Sequence, residues 1–252
     1  MTVQRTVGSL VAHAHERGVR VLTLDSPANR NALSSALVGE LGERLREAGA
    51  DDDVRAVVLT HTGGTFCAGA DLRDPPDPDA LVALLRRIVE LGKPVVARVD
   101  GHVRAGGLGL LGACDLAAAS TAASSFAFTE VRIGVAPAVI SMPLLPRLDP
   151  RAVARYYLTG ERFDAVEAAR MGLVTVAGED VDEALAPLLG GLRKASPEAL
   201  SETKGLLTVK VLEAFDRDAE SLTAVSARLF GSAGAHEGMT AFLERRDAAW
   251  VL

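Results

Sequence analysis

The chain has 252 residues, a formal net charge of −6, 48% hydrophobic and 24% charged residues. That balance excludes a disordered chain, and the lack of a Lys/Arg block argues against nucleic acid or an anionic membrane as the main partner. Two cysteines exclude a disulfide scaffold; with no leader-like pattern in "MTVQRTVGSL" and no apolar run near ~20 residues, a cytoplasmic protein is expected.

In chain order, "SLVAHA" (9–14) and "VRVLTL" (19–24) flank "HERG" and read as a β-hairpin. Ser34 or Ser35 can cap a helix running to about Ala48, with Leu37, Leu41 and Leu45 as its buried stripe. "VRAVVLTHT" (54–62) suits a strand buried on both faces, "DALVALLRRIVELG" a helix ending at Gly92, and "KPVVARVDG" a second buried strand. "DLAAAS" (115–120) and "SSFAFTE" (124–130) are weaker strand candidates. Beyond Pro137 helical patterns dominate: "VISMPLLPRL", "RAVARYYLTG", "DAVEAARMG", "DEALAPLLGGLRKA", Pro197 to Phe230 and "HEGMTAFLERRDAAW", interrupted by "LVTVAG" as a possible strand. The expected class is α/β with partly parallel strands, a core over 1–195 and a helical region over 196–252.

Gly107, Gly109 and Gly112 in "RAGGLGLLGACD" (104–115) spell G-x-G-x-x-G. A dinucleotide turn should follow its strand almost at once and belong to the first βαβ unit, whereas "DGHVR" intervenes and some ninety residues precede it. Close packing of a helix on a strand is the plainer alternative. A second stretch has the same layout: "VVLTHTGGTFCAGADL" and "VVARVDGHVRAGGLGL" are each strand, glycine turn and helix start. If the strands are neighbours, N–H groups near Ala70 and Gly106 converge on one point, the arrangement of an oxyanion hole near two helix N-termini. His13 and His15 share a strand face but lack a third ligand, and Cys67 has no His/Asn pattern around it, so neither a metal site nor a cysteine nucleophile is expected.

"CAGADL", "GKPVVARVDGHVRAGGLGLLGACDLAAAS", "FAFTEVRIGVAP", "YYLTGERFDAVEAARMGLV" and "EGMTAFLERRDAAW" resemble, in order and spacing, the enoyl-CoA hydratase/isomerase (crotonase) family, from about Asn29 to Trp250. The resemblance implies a core of repeated ββα turns, C-terminal helices that trimerise, and assembly as a homotrimer or a dimer of trimers. It implies acyl-CoA metabolism, with the CoA thioester as substrate and no further cofactor. Ala70 and Gly106 would bind the thioester oxygen. Ala68, Asp71 and Leu72, with Gly107, would line the CoA and acyl groove, and Phe242 and Arg245 would reach the nucleotide end of CoA, from a neighbouring subunit or their own.

Hydratases of this family use two glutamates. The first position is Gly109 here and the second is Glu130. A single carboxylate beside an oxyanion hole can still donate or accept a proton at Cα, and burial in an apolar pocket would raise its pKa to suit. The other reading of Glu130 is a surface or N-cap glutamate. Hydration of a trans-2-enoyl-CoA is therefore the leading expectation. Double-bond isomerisation with one base is the alternative, and a CoA-ester binding protein that lost activity with the first carboxylate is the non-catalytic one. Arg104 could pair with an acyl carboxylate, with CoA phosphates, or simply with Asp71 or Asp74 at the surface. Gly109 together with "TEVRIGVAPAVIS" looks most like a bacterial branch associated with methylglutaconyl-CoA-type hydration in branched-chain catabolism.

Overall fold

The computed structural model describes residues 8–252; the reading of the first seven residues lies outside them. The expected hairpin is β1 (Val11–Glu16) paired antiparallel with β2 (Val19–Leu24). Arg17 and Gly18 both take positive φ, 49° and 77°, as a two-residue type I′ turn requires. Helix α1 (Ser35–Ala50) starts where Ser34 Oγ accepts the Leu37 N–H at 3.2 Å, and it buries Leu37, Leu41 and Leu45.

The chain then repeats one move. β3 (Ala56–His61) is followed by β4 (Thr65–Cys67) and α2 (Pro78–Glu90); β5 (Val95–Val99) by β6 (His102–Arg104) and α3 (Gly106–Ala113); and β7 (Leu116–Ser120) by β8 (Ser125–Ala127). The first strand of each pair joins a six-stranded sheet, order β1-β2-β3-β5-β7-β10. The second joins a four-stranded sheet, order β4-β6-β8-β9. Among the described residues only the β1–β2 and β8–β9 pairings are antiparallel. These are the repeated ββα turns the family resemblance implies. The segment "DGHVR", read from sequence as a loop, thus contains a strand.

The large sheet is buried on both faces, as parallel sheets are. Along β3, Val57 and Leu59 join the main core with Leu41, Leu45 and Ile88, while Val58 on the other face packs with Val181 and Leu185 of α7 (Val181–Lys194). The remaining elements are α4 (Ser141–Leu144), α5 (Pro150–Thr159), β9 (Phe163–Asp164), α6 (Ala165–Arg170), β10 (Val176–Gly178), α8 (Pro197–Phe230) and α9 (Ala233–Glu244). "LVTVAG" is indeed a strand, β10, parallel to β7; the helix expected over "VISMPLLPRL" shrinks to the four residues of α4.

The long helix α8 is tied to the core by a buried cation. Lys204 Nζ lies 2.8 Å from Asp115 Oδ2 and donates to the carbonyls of Ile88 and Lys93. Asp115 Oδ2 also accepts the Val95 N–H at 2.8 Å. Burial alone would raise the Asp115 carboxyl and lower the Lys204 ammonium, and each partner offsets the other's penalty.

Candidate active site

The two glycine turns leave adjacent strands of the small sheet. After β4, Gly69 O accepts the Leu33 N–H at 2.8 Å and Asp71 N–H donates to Leu33 O at 2.9 Å, so Ala70 forms an isolated parallel bridge with Leu33. Successive N–H groups of extended backbone point to opposite sides. Ala70 N–H therefore faces away from Leu33. After β6, Ala105 N–H donates to Ala127 O at 3.1 Å, and Gly106 opens α3 with Leu108 N–H on Ala105 O at 2.8 Å. Gly106 N–H is a first-turn amide with no acceptor inside its helix.

These amides meet. A methyl carbon placed on Gly106 would lie 3.6 Å from Gly69 Cα and 3.7 Å from Ala70 N, and one placed on Gly69 would lie 3.3 Å from Gly106 N and 2.8 Å from Ala105 Cβ. Gly69 also has φ +92°, so both conformation and space demand glycine there. Ala105 adopts φ 46°, ψ −123°, a region normally left to glycine and costing a side chain about 1–3 kcal/mol. That strained turn leads directly into Gly106, beside Gly69 and Ala70. One expectation needs correcting. "CAGADL" does not enter a helix, because bends and irregular backbone follow Asp71 and the next helix begins at Pro78. Only Gly106 draws on a helix dipole, and Ala70 is positioned by its bridge to Leu33.

Glu130 opens a 3-10 helix over Glu130–Ile133 that closes at Gly134. It is neither a surface residue nor an N-cap: it is 7% exposed, and Oε2 has no hydrogen-bond partner among the described residues. Desolvation by that burial pushes its pKa up to about 7, only partly opposed by its own backbone N–H. The turn is held from behind by α9, whose Gly234 and Gly238 lie so close to Gly134 and Ile133 that a methyl on Gly134 or Gly238 would fall within 2.6 Å of backbone. On another side stands Tyr157 of α5, its phenol pushed well up, first by burial and further by the Glu130 charge. The Tyr157 ring centre is 4.5 Å from that of Phe128, and its hydroxyl is 3.5 Å from Ser141 Oγ. Tyr157 and Ser141 escape sequence reading, since neither "RAVARYYLTG" nor "VISMPLLPRL" carries a local mark beyond its helical pattern.

The glycines of α3 are spaces filled by the chain's own side chains. Methyls placed on Gly107 and Gly109 would lie 2.8 Å from Cys67 Cβ and 2.5 Å from Ile140 Cγ2, and one on Gly112 would strike Leu144. The dinucleotide reading thus fails, and helix packing explains the run. Cys67 is fully buried with its thiol pushed up to about 12 by desolvation, which suits packing and not nucleophilic attack.

The other expected residues divide. Ala68, half-buried, donates its N–H to Arg30 O at 3.1 Å; Asp71, also half-buried, accepts from Asn29 Nδ2 at 3.3 Å; Leu72 is half-buried beside them. All three flank the Ala70 amide. Arg104 is drawn away. Its guanidinium turns back along β6 to the carbonyls of Val103 and Ser125 and to Ser125 Oγ, with Arg162 near it, and neither Asp71 nor Asp74 holds it. Phe242 and Arg245 are exposed at the end of α9, on the helix that backs Glu130. Among the described residues no group of three or more His, Cys, Asp or Glu is placed to hold a metal ion, and no helix is long and apolar enough to cross a membrane.

Comparisons with known proteins agree in one direction. The family model described as Enoyl-CoA hydratase/isomerase matches residues 14–251. The (E)-benzylidenesuccinyl-CoA hydratase of Thauera aromatica is 34% identical over 200 residues, covering 74% of this chain and 77% of that protein. The 2,3-dehydroadipyl-CoA hydratase of Escherichia coli is 30% identical over 243 residues, covering 92% and 95%. The crystal structure of an enoyl-CoA hydratase from Mycobacterium avium superposes with a TM-score of 0.90 at 55% identity, covering 96% of this chain and 99% of that one.

Proposed function

The chain belongs to the enoyl-CoA hydratase/isomerase (crotonase) family and is an enzyme of the hydratase type, and from that premise we propose that it adds water to a trans-2-enoyl-CoA with Glu130 as its one proton-carrying side chain. The observation that supports this is the close approach of the Gly69–Ala70 and Ala105–Gly106 turns, together with Glu130, the one carboxyl among the described residues whose buried oxygen is left without a partner. In the proposed step the ionised Glu130 takes a proton from water as its oxygen bonds to Cβ. The electrons of the double bond move onto the thioester oxygen as an enolate, which the Ala70 and Gly106 N–H groups hold. Glu130 then returns that proton to Cα as the enolate collapses to the 3-hydroxyacyl thioester. Donors preorganised for the enolate contribute on the order of 3 kcal/mol each to such a barrier.

Replacement of Glu130 by Gln leaves shape and burial nearly unchanged and removes the proton carrier. Hydration of crotonyl-CoA, followed as loss of the enoyl-thioester absorbance, should fall by roughly 10²- to 10⁴-fold. A Glu130→Gln enzyme hydrating at the wild-type rate refutes the role.

Isomerisation of a 3-enoyl-CoA is the second reading, favoured specifically by the hydrocarbon that fills the space beside Gly109. It needs only one base, and it would create the absorbance that hydration destroys. Tight binding of CoA thioesters with neither signal would favour a non-catalytic binder. We assign Ala68, Asp71 and Leu72 to the CoA groove because they flank the Ala70 amide. The exposure of Phe242 and Arg245 supports CoA contacts made in an assembly of at least three copies, which sedimentation at micromolar concentration would test. A carboxylated acyl group would rest on Arg104, whose guanidinium is already engaged by Ser125, and branched-chain catabolism rests on the likeness of Gly109 and "TEVRIGVAPAVIS" alone.

A further inference from the structure

The position that holds the first glutamate in the family's hydratases is not an empty place in this chain. Gly109 sits one turn after Gly106 on the same face of α3, so a side chain there would leave the helix on the side of the oxyanion hole. That space is taken: a methyl on Gly109 would lie 2.5 Å from Ile140 Cγ2, 3.0 Å from Ile140 Cβ and 3.4 Å from Leu85 Cδ1. The crowding atoms include a β-carbon, which cannot swing aside as the far end of a flexible side chain can. Ile140 is 3% exposed and immediately precedes Ser141, whose hydroxyl is 3.5 Å from that of Tyr157, the phenol on which the Glu130 charge acts. A short chain of contacts thus links the Gly109 face of α3, through Ile140 and its neighbour Ser141, to Tyr157 and Glu130. One turn further along each element the same fit recurs, with Leu144 against Gly112. Glycine at 109 is thus demanded by its neighbour.

We infer that Ile140 is a specificity-determining residue of the acyl pocket: its branched side chain takes the place of the absent carboxylate and closes that wall with hydrocarbon, setting which acyl groups fit beside Glu130. The inference rests on the acyl-CoA reading above, but the pairing of Gly109 with Ile140 does not. Two consequences follow. Gly109→Glu alone does not restore a two-carboxylate site, since the new side chain has nowhere to go. Trimming Ile140 enlarges the pocket at that wall and admits bulkier acyl groups.

The test has a part that needs no substrate. Gly109→Ala should lower Tm by several degrees in the wild-type background. In an Ile140→Ala background it should leave Tm unchanged or raise it, because the clash is gone and alanine is the better helix former. The second part compares binding of the saturated thioesters butanoyl-CoA and 3-phenylpropanoyl-CoA by calorimetry, and turnover of the matching 2-enoyl-CoAs. Ile140→Ala should shift the preference toward the bulky acyl group by tenfold or more, with Ile140→Val between it and the wild type, whereas a purely structural residue would weaken both ligands alike. Gly109→Glu with Ile140→Ala should hydrate crotonyl-CoA faster than Ile140→Ala alone, while Gly109→Glu by itself gains nothing. An unchanged ligand preference in folded Ile140→Ala, or a folded single Gly109→Glu variant with raised hydration, overturns the inference. If no CoA thioester binds the wild type, the functional reading and the specificity role both fall; if thioesters bind but the preference does not move, only the role of Ile140 falls.

Discussion

Glu130 offers the sharpest test, because one side chain controls both a stability profile and a rate profile. Moving its carboxyl from an ordinary 4.5 to about 7 corresponds to about 3 kcal/mol of native-state preference for the protonated form, at about 1.4 kcal/mol for each tenfold in proton affinity. A raised native pKa means that the native state binds the proton more tightly than the unfolded chain. The associated stability is therefore fully present below the unfolded value, declines through the window between 4.5 and about 7, and is gone above it. Glu130→Gln cannot ionise and lacks this dependence. Urea unfolding of both proteins at about pH 5 and about pH 8 should show the wild type losing about 2–3 kcal/mol relative to Glu130→Gln across the interval. The kinetic counterpart has the opposite sense: the proposed step starts from the carboxylate, so kcat/KM for hydration should rise with pH to a plateau above about 7. A stability difference between the two proteins that is the same at both pH values would refute the claim that burial controls this group. A kcat/KM that falls through neutrality would show that Glu130 enters the reaction protonated.

Three further outcomes are expected. Ala105→Gly should raise stability by about 1 kcal/mol in thermal unfolding, against the usual direction of an Ala-to-Gly change, because relief of a positive-φ alanine exceeds the added unfolded-state entropy. Lys204→Met should cost about 3–5 kcal/mol by leaving Asp115 buried without its cation, and adding Asp115→Asn should recover part of that loss in the same denaturation experiment. Arg104→Ala should lower turnover of crotonyl-CoA and of a glutaconyl-type thioester by the same small factor; a selective loss on the carboxylated substrate would show that the guanidinium leaves Ser125 to meet it.

Most of the large sheet and its helices could be read from the sequence, because their signals are local. Ser34 precedes a leucine stripe at four-residue spacing, and β3 and β5 are continuous β-branched runs. Of the small sheet only β8, inside "SSFAFTE", could be read. Thr65–Cys67 and His102–Arg104 are three residues each, too short for an alternation to register, and their pairing depends on where the larger sheet carries them. The site divides the same way. An oxyanion hole made of backbone N–H groups leaves no side-chain signature beyond the small residues that let a ligand approach, so Ala70 and Gly106 were accessible through the matching layout of the two glycine turns, to which the family resemblance added their role. The turn that Glu130 opens packs on α9, and Glu130 acts on Tyr157, both distant in sequence. Ile140 carries no local mark at all, since its meaning lies in the glycine it faces.

That last contact changes how the glycine run should be understood. A chain that had merely lost a catalytic glutamate would keep the room the glutamate used, and a single substitution would restore it. Here α3 is embedded so closely that Cys67, Ile140 and Leu144 each occupy the position of a missing Cβ, so the composition of the helix and the placement of α4 depend on one another. The Ala70 and Gly106 amides lie at the near end of that same helix, positioned by the Leu33 bridge and by the strained Ala105 turn. On the proposed function, enolate stabilisation and acyl-pocket shape are therefore separable features of one element. Changes at Gly109 and Ile140 should alter which thioester is accepted while the amide pair stays in place, and changes at Gly69 or Ala105 should act on the chemical step for every substrate alike.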